Sequence, residues 1–161
     1  MSDVRTGLGV DTHRLAAGRR LILGGVEVPH DRGLAGHSDA DVLAHAVADA
    51  VLGAAGLGDI GRWFPDTDPA YEDADSIALL ADVVARVRAA GWSVAHVDAT
   101  VMIERPRLAP HREAIAARLA ETLGGSVSVK ATTGEGMGFV GREEGVAALA
   151  VATLVSRSGG S

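Results

Sequence analysis

The chain has 161 residues, a formal net charge of −6 and no cysteine. That length suits one domain with a proper core, spanning 1–161, and the acidic balance argues against a nucleic-acid partner. Without thiols, disulfides, thiolate zinc sites and cysteine nucleophiles are excluded, so any metal must be held by His, Asp or Glu. Two Trp, one Tyr and two Phe are the only aromatics, which leaves Ala, Val, Leu and Ile to build the core. The start, Met1 to Thr6, carries no hydrophobic signal region and no apolar run is long enough to span a bilayer; the chain reads as a cytoplasmic protein with no membrane partner.

Arg5 to Val10 reads as a short strand broken by Gly7 and Gly9, running into Asp11-Thr12-His13. In extended conformation Asp11 and His13 share a face, because the side-chain period is two. Arg20 to Val28 reads as a tight hairpin around Gly24-Gly25. Residues 29–33 form a loop in which His30 is exposed. His37 stands at the entrance to a helix, where free backbone N–H groups suit anion contact.

That helix is the most informative stretch. Ser38 is a candidate N-cap, with Asp41 three residues on as in a capping box. Val42, Leu43, Ala46, Val47, Ala50 and Val51 form an apolar stripe, and Gly53 and Gly56 supply the stop. Asp41, His45 and Asp49 follow at i, i+4, i+8 and stack on one face. An imidazole between two carboxylates is either a metal ligand with hydrogen-bonding support or part of a solvated polar face. Together with Asp11 and His13, His45 would complete three ligands with one open position, the pattern of a catalytic zinc.

Gly56 to Pro69 is a loop rich in turn residues that carries Trp63 and Phe64. Asp75 to Ala90 is a helix stopped by Gly91. Val94 to Ile103 alternates as a strand, with Val97, Ala99, Val101 and Ile103 on one face; His96 is structural. After a loop at Glu104 to Leu108, Pro110 opens a helix that ends before Gly124. Val127 to Thr133 is a strand running into Gly134-Glu135-Gly136-Met137-Gly138, which looks like a phosphate or nucleotide loop lacking the Walker ending. The bland alternative is a flexible hairpin connection. Gly145 to Arg157 fits strand or helix, with strand preferred. The order of elements favours α+β over a doubly wound sheet, and no internal repeat is visible.

Five blocks in this order resemble one family: Gly7-x-Gly9-x-Asp11-x-His13; His37-Ser38-Asp39-Ala40-Asp41-Val42-x-x-His45-Ala46-x-x-Asp49; Gly58-Asp59-Ile60-Gly61; Phe64-Pro65-Asp66-Thr67-Asp68-Pro69; and Lys130-Ala131-Thr132-Thr133-x-Glu135-x-x-Gly138-Phe139-x-Gly141-Arg142. They are similar to the 2-C-methyl-D-erythritol 2,4-cyclodiphosphate synthases of the non-mevalonate isoprenoid pathway, and the similarity covers essentially the whole chain. The resemblance implies an α+β subunit with a mixed β-sheet packed by helices on one face. It implies a homotrimer whose sheets face the three-fold axis, with active sites between neighbours.

It further implies that Asp11, His13 and His45 bind Zn2+ or another divalent transition metal, and that Glu135 meets Mg2+ or Mn2+ bridging the diphosphate. The implied substrate is a cytidine diphosphate ester of methylerythritol whose 2-phosphate attacks the β-phosphorus and expels CMP. Asp11, Thr12, His13, His37 and Ser38 are among the implied substrate contacts, and Asp59, Ile60, Gly61, Phe64, Pro65, Asp66, Thr67 and Asp68 fall on its erythritol side. Ile103, Pro106, Arg107, Leu108, Ala109, Ala131, Thr132, Thr133, Gly134 and Glu135 fall on the nucleotide side, with Phe139 and Arg142 closing the phosphate loop. His37 and Thr133 match positions that stabilise the transition state, and Asp41 and Asp49 would support His45. An isoprenoid diphosphate in the axial cavity is a further implied ligand. The chain departs from the family pattern at Gly134, where threonine is common, at the bulkier, charged Glu104 and Arg105, and at Val10, where an aromatic is common. On the residues alone, a metal-dependent phosphohydrolase and a non-enzymatic trimeric nucleotide sensor remain rival readings.

Overall fold

A computed structural model describes residues 1–158. Its strands are β1 (Val4–Ala17), β2 (Leu21–Leu23), β3 (Val26–Val28), β4 (Arg32–Ala35), β5 (Trp92–Met102), β6 (Ser126–Thr132) and β7 (Gly145–Ser156). Its helices are α1 (Val42–Ala55), α2 (Ile60–Trp63), α3 (Ser76–Ala89), α4 (Arg112–Leu123) and α5 (Gly138–Gly141), with 3-10 turns at Pro69–Tyr71 and Ala109–His111. Five strands form one mixed sheet in the order β4-β1-β7-β5-β6, in which only β5 and β6 run parallel. The β2-β3 hairpin turns at Gly24-Gly25 as expected, both glycines having positive φ.

The helices cover one face, so the α+β architecture stands as read from the sequence. The centre of that layer is α1, whose Val, Leu and Ala side chains are buried nearly all round against β1 and β7. Gly7 and Gly9 do not break the strand. They let the helix backbone lie directly on it: a Cβ at either position would collide with the Ala50 or Ala46 carbonyl, and one on Gly9 would also stand 2.7 Å from Ala50 N. β1 therefore continues through Asp11 and His13 to Ala17. The Ala-rich β7 sits between β1 and β5 beneath α1, and its place as a doubly paired inner strand resolves the strand-or-helix ambiguity.

Several local expectations need correction. Ser38 is not the N-cap; Asp41 is, and its carboxylate accepts from Ala44 N at 2.9 Å. Ser38 and Ala40 have φ of 58° and 53°, which no helix turn tolerates. The helix also passes through Gly53 and stops at the left-handed Gly56. β4, whose first two residues fall in the stretch expected to be loop, pairs antiparallel with β1. His30, expected to be exposed, is half-buried with its ring 3.3 Å from the Asp31 carboxylate. Pro110 lies in a 3-10 turn ahead of α4 rather than opening it.

The opposite sheet face, left uncovered by the described helices, mixes apolar side chains with polar ones such as Thr6, Asp98 and Lys130. Val4, Leu8 and Val10 of β1 and Val151 of β7 are all exposed there. Among the described residues, no helix is long and apolar enough to cross a membrane.

Candidate metal centre and nucleotide cavity

β1 and α1 bring three ligand types together. Asp11 and His13 lie two apart on the helix-facing side of β1, and His45 points down from the first turn of α1. Asp11 Oδ2 is 2.9 Å from His13 Nε2 and 3.3 Å from His45 Nδ1. One ligand atom from each residue lies within 4.8 Å of the other two, so the trio could hold a metal ion. Burial pushes the Asp11 carboxyl up, but the hydrogen bonds and charges of His13 and His45 outweigh it and bring it down to about 2. Burial pushes His13 down, and its contact with Asp11 outweighs that, leaving it raised.

The far sides of both rings fit a metal. His13 Nδ1 is 3.0 Å from the Ala35 carbonyl, an obligate acceptor, so Nδ1 carries the hydrogen and Nε2 faces the centre. His45 Nε2 is 2.8 Å from Ser76 Oγ, which leaves Nδ1 facing the centre. Ser76 Oγ in turn donates to Asp39 Oδ1, and the Ser76 amide donates to Asp39 Oδ2 at 3.0 Å. Two imidazoles and a carboxylate with oriented rings suit a borderline divalent ion.

The carboxylates expected to support His45 are otherwise engaged. Asp41 is wholly buried and accepts from Gly24 N at 2.9 Å and Gly25 N at 2.7 Å besides capping α1. Asp49 accepts from Ile60 N at 2.8 Å and so anchors α2, not His45. Helical spacing put both on the correct side of α1, but neighbouring backbone amides claimed them first. Ser76 and Asp39 carried no comparable signal, since Ser76 reads as the first residue of a helix and lies 31 residues from its partner.

A cavity of about 380 Å³ opens over the trio. It is lined by Asp11, His13, His37, Ser38, His45, Ile60, Gly61, Phe64 and Asp66 of the expected set, and by Gly36, Tyr71 and Leu79, which the sequence did not flag. Asp59 and Asp68 act as caps instead, accepting from Arg62 N and Ala70 N, each at 3.0 Å. Pro65 and Thr67 are exposed in the same loop, whose fixed point is the buried Phe64 edge-on to Tyr71.

A second cavity, about 230 Å³, lies at the carboxyl ends of the parallel strands β5 and β6. Ile103, Pro106, Arg107, Leu108, Ala109, Ala131, Thr132 and Thr133 line it as expected, joined by Glu104 and Arg112. Gly134 and Glu135 follow in the adjoining turn. Thr12 and Phe139 border a third hollow with His13 and Glu144, and Arg142 lies 3.6 Å from the Glu144 carboxylate. No residue lines both the first and the second cavity.

A helix-backed mixed sheet carrying a half-buried Asp-His-His cluster that could hold a metal ion, with a separate cavity beside a glycine-rich turn, is the framework of an α+β enzyme. The chain belongs to the YgbB family, whose model matches residues 4–155. It is 64% identical over 156 residues to the 2-C-methyl-D-erythritol 2,4-cyclodiphosphate synthase of Salinibacter ruber, covering 95% of this chain and 99% of that one. Among solved structures it is similar to the bifunctional IspDF from Campylobacter jejuni (TM-score 0.93, 42% identity), covering 97% of this chain and 43% of that longer one. It is also similar to a 2C-methyl-D-erythritol-2,4-cyclodiphosphate synthase in its CDP-bound form (TM-score 0.86, 37% identity), covering 93% of this chain and 99% of that one.

Proposed function

We infer that this chain converts 4-diphosphocytidyl-2-C-methyl-D-erythritol 2-phosphate into 2-C-methyl-D-erythritol 2,4-cyclodiphosphate and CMP, a step in isoprenoid precursor synthesis. The observation that carries the reading is the Asp11, His13 and His45 cluster, in a chain that matches a synthase of that name along nearly its whole length. We assign Zn2+ or a similar transition ion to that cluster and Mg2+ or Mn2+ to Glu135, where one carboxylate plus substrate phosphates is the usual way magnesium is held. When bound, these ions neutralise phosphate charge and polarise the phosphoryl group.

The chain's own residues do the rest. A phosphate monoester is already anionic at neutral pH, so the attacking 2-phosphate needs no protein base. What it needs is alignment with the β-phosphorus, and holding the substrate curled can contribute on the order of 7–11 kcal/mol through proximity. His37, exposed at the rim of the metal cavity, and Thr133, exposed at the nucleotide cavity, would donate hydrogen bonds to phosphoryl oxygens as charge shifts to CMP. The loop from Ile60 to Phe64 and Asp66 would hold the erythritol, and Ile103 to Ala109 the cytidine.

The reading includes a homotrimer. The exposed Val4, Leu8, Val10 and Val151 lie on the face such a ring would turn to its axis, and apolar side chains exposed together on one face mark an interaction surface. An isoprenoid diphosphate is the ligand proposed for the axial cavity, and the cytoplasm the proposed compartment. The test is phosphorus NMR of the purified chain with the cytidylyl substrate, zinc and magnesium. Cyclic diphosphate and CMP are expected; release of inorganic phosphate would replace the reading with a phosphohydrolase.

A further inference from the structure

Glu104 stands where the chain leaves the sheet. The preceding residue makes the last bond between β5 and the strand beside it, Ile103 N–H donating to the Thr132 carbonyl at 2.9 Å. The Glu104 carboxylate then reaches across to the glycine-rich turn. Oε2 accepts from Gly134 N–H at 2.8 Å, and Oε1 accepts from Gly136 N–H at 3.2 Å. The amide between them, that of Glu135, donates to Thr133 Oγ1 at 3.2 Å. Three consecutive amides are thus held by two side chains.

The turn needs such holding. Glu135 has a φ of 50°, a left-handed conformation that a non-glycine residue keeps only where its surroundings impose it. Its inner side is closed as well: a Cβ on Gly134 would stand 2.6 Å from Gly141 N and 2.7 Å from the Met137 carbonyl. The amides of Gly134 and Gly136, which a glycine-rich loop would ordinarily offer to phosphate oxygens, are therefore already taken by a carboxylate. Anion contact in this loop falls to the hydroxyls of Thr132 and Thr133 and to whatever cation Glu135 holds.

We propose that Glu104 is a positioning residue for Glu135: by bridging the amides on either side of it, Glu104 fixes the Glu135 carboxylate beside the cavity and so sets the affinity for a nucleoside diphosphate carrying a divalent cation. The proposal rests on the reading of Glu135 as the contact for that cation. It gives the charged residue at this position a task inside the protein instead of a direct one at the base. The opposite arrangement, a carboxylate standing in for phosphate and displaced by it, would give effects of opposite sign.

The probe is CDP, titrated calorimetrically into the zinc-loaded full chain with and without magnesium. Glu104→Ala loses both bonds. Glu104→Gln keeps one acceptor oxygen but turns an NH2 towards the second amide. A hydrogen bond to a charged carboxylate corresponds to about tenfold to a hundredfold in an equilibrium constant. The expected result is a loss of that size for Glu104→Ala with magnesium, a smaller one for Glu104→Gln, unchanged zinc content, and faster amide exchange at Gly134 and Gly136. Because Glu104 acts through Glu135, its removal should cost little further affinity in a Glu135→Ala background or without magnesium. A merely structural role would weaken CDP equally in all these settings and overturns the proposal, as does a Glu104→Ala variant that binds CDP as well as or better than wild type. Wild-type chain that binds no CDP overturns the underlying reading and the proposal together.

Discussion

His45 Nε2 and Ser76 Oγ lie 2.8 Å apart, and this bond links α1 to the first residue of α3 directly behind the metal cluster. Asp39 accepts from both the hydroxyl and the amide of Ser76, so the serine oxygen is held with its lone pairs towards the imidazole. The pair thereby selects the tautomer that leaves His45 Nδ1 free beside Asp11. Losing an outer partner of a ligating histidine typically costs 10–100-fold in metal affinity, so Ser76→Ala should weaken zinc binding by about that factor. Competition with a chromophoric chelator measures it, and cobalt substitution should show an altered visible spectrum. A dissociation constant within about twofold of wild type would remove Ser76 from this role.

How much of this was legible in sequence depends on the range of each interaction. Asp11 and His13 were readable because a strand's period puts them together, and His45 because it stacks with Asp41 and Asp49 on one face of a helix otherwise striped with apolar residues. The hairpin at Gly24-Gly25 was readable from its turn residues alone. Ser76 was not, because its partners Asp39 and His45 are brought to it only by the packing of α1 against α3. β4 escaped for the same reason: its four residues carry little pattern, and only pairing with β1 makes them a strand. The entrance to α1 was misplaced because the left-handed backbone at Ser38 and Ala40 is imposed from outside, Ser38 N–H donating to the Glu72 carbonyl at 2.7 Å.

The metal-free protein should be more stable at about pH 5 than at about pH 8. Burial pushes Asp41 up to about 6 against the pull of three backbone N–H groups, and His13 is raised by Asp11 despite its own burial. A group whose folded pKa exceeds its unfolded one binds its proton more tightly in the native state, so stability grows as pH falls through the folded value. Asp98, lowered chiefly by its hydrogen bond to Lys130, and Asp11 act the other way, but only below the ordinary value of 3.8. Thermal melts at the two pH values check this. Asp41→Asn, which retains a capping oxygen but does not titrate, should narrow the difference; an unchanged difference would clear Asp41 of responsibility.

Gly9→Ala should destabilise the chain without touching any ligand. The added methyl meets the α1 backbone at the Ala46 carbonyl and Ala50 N, neither of which is the free end of a side chain. Overpacking of this kind costs about 1–3 kcal/mol, and more where backbone must move. Urea denaturation reads the loss, while Gly53→Ala, with open space around its Cβ and no positive φ, serves as the control for adding a methyl without a clash. A Gly9→Ala midpoint equal to wild type would mean that α1 does not rest on β1 as closely as described.

On the proposed reading both cavities serve one diphosphate, yet within a single chain they share no lining residue. Ala148 of β7 pairs with Asp11 on one side and with Val101 on the other, and Val101 pairs with Ala131. Asp11 and Ala131 therefore lie on one row of the sheet, three strand spacings or roughly 14 Å apart. The phosphoryl groups that zinc and Glu135 are proposed to hold are joined by a single oxygen, which argues for pairing the metal half of one subunit with the nucleotide half of its neighbour. In a three-fold ring every contact is heterologous, so each interface would supply one such pair. His45→Ala damages only the first half and Thr133→Ala only the second. Each variant should be inactive by itself. Unfolded, mixed equally and refolded, about three quarters of the rings would be mixed, each with one intact interface of three, and about a quarter of wild-type activity should return. Sites confined to single subunits would each keep their own lesion, so mixed rings verified by mass spectrometry that stay as inactive as their parents would rule out the shared site.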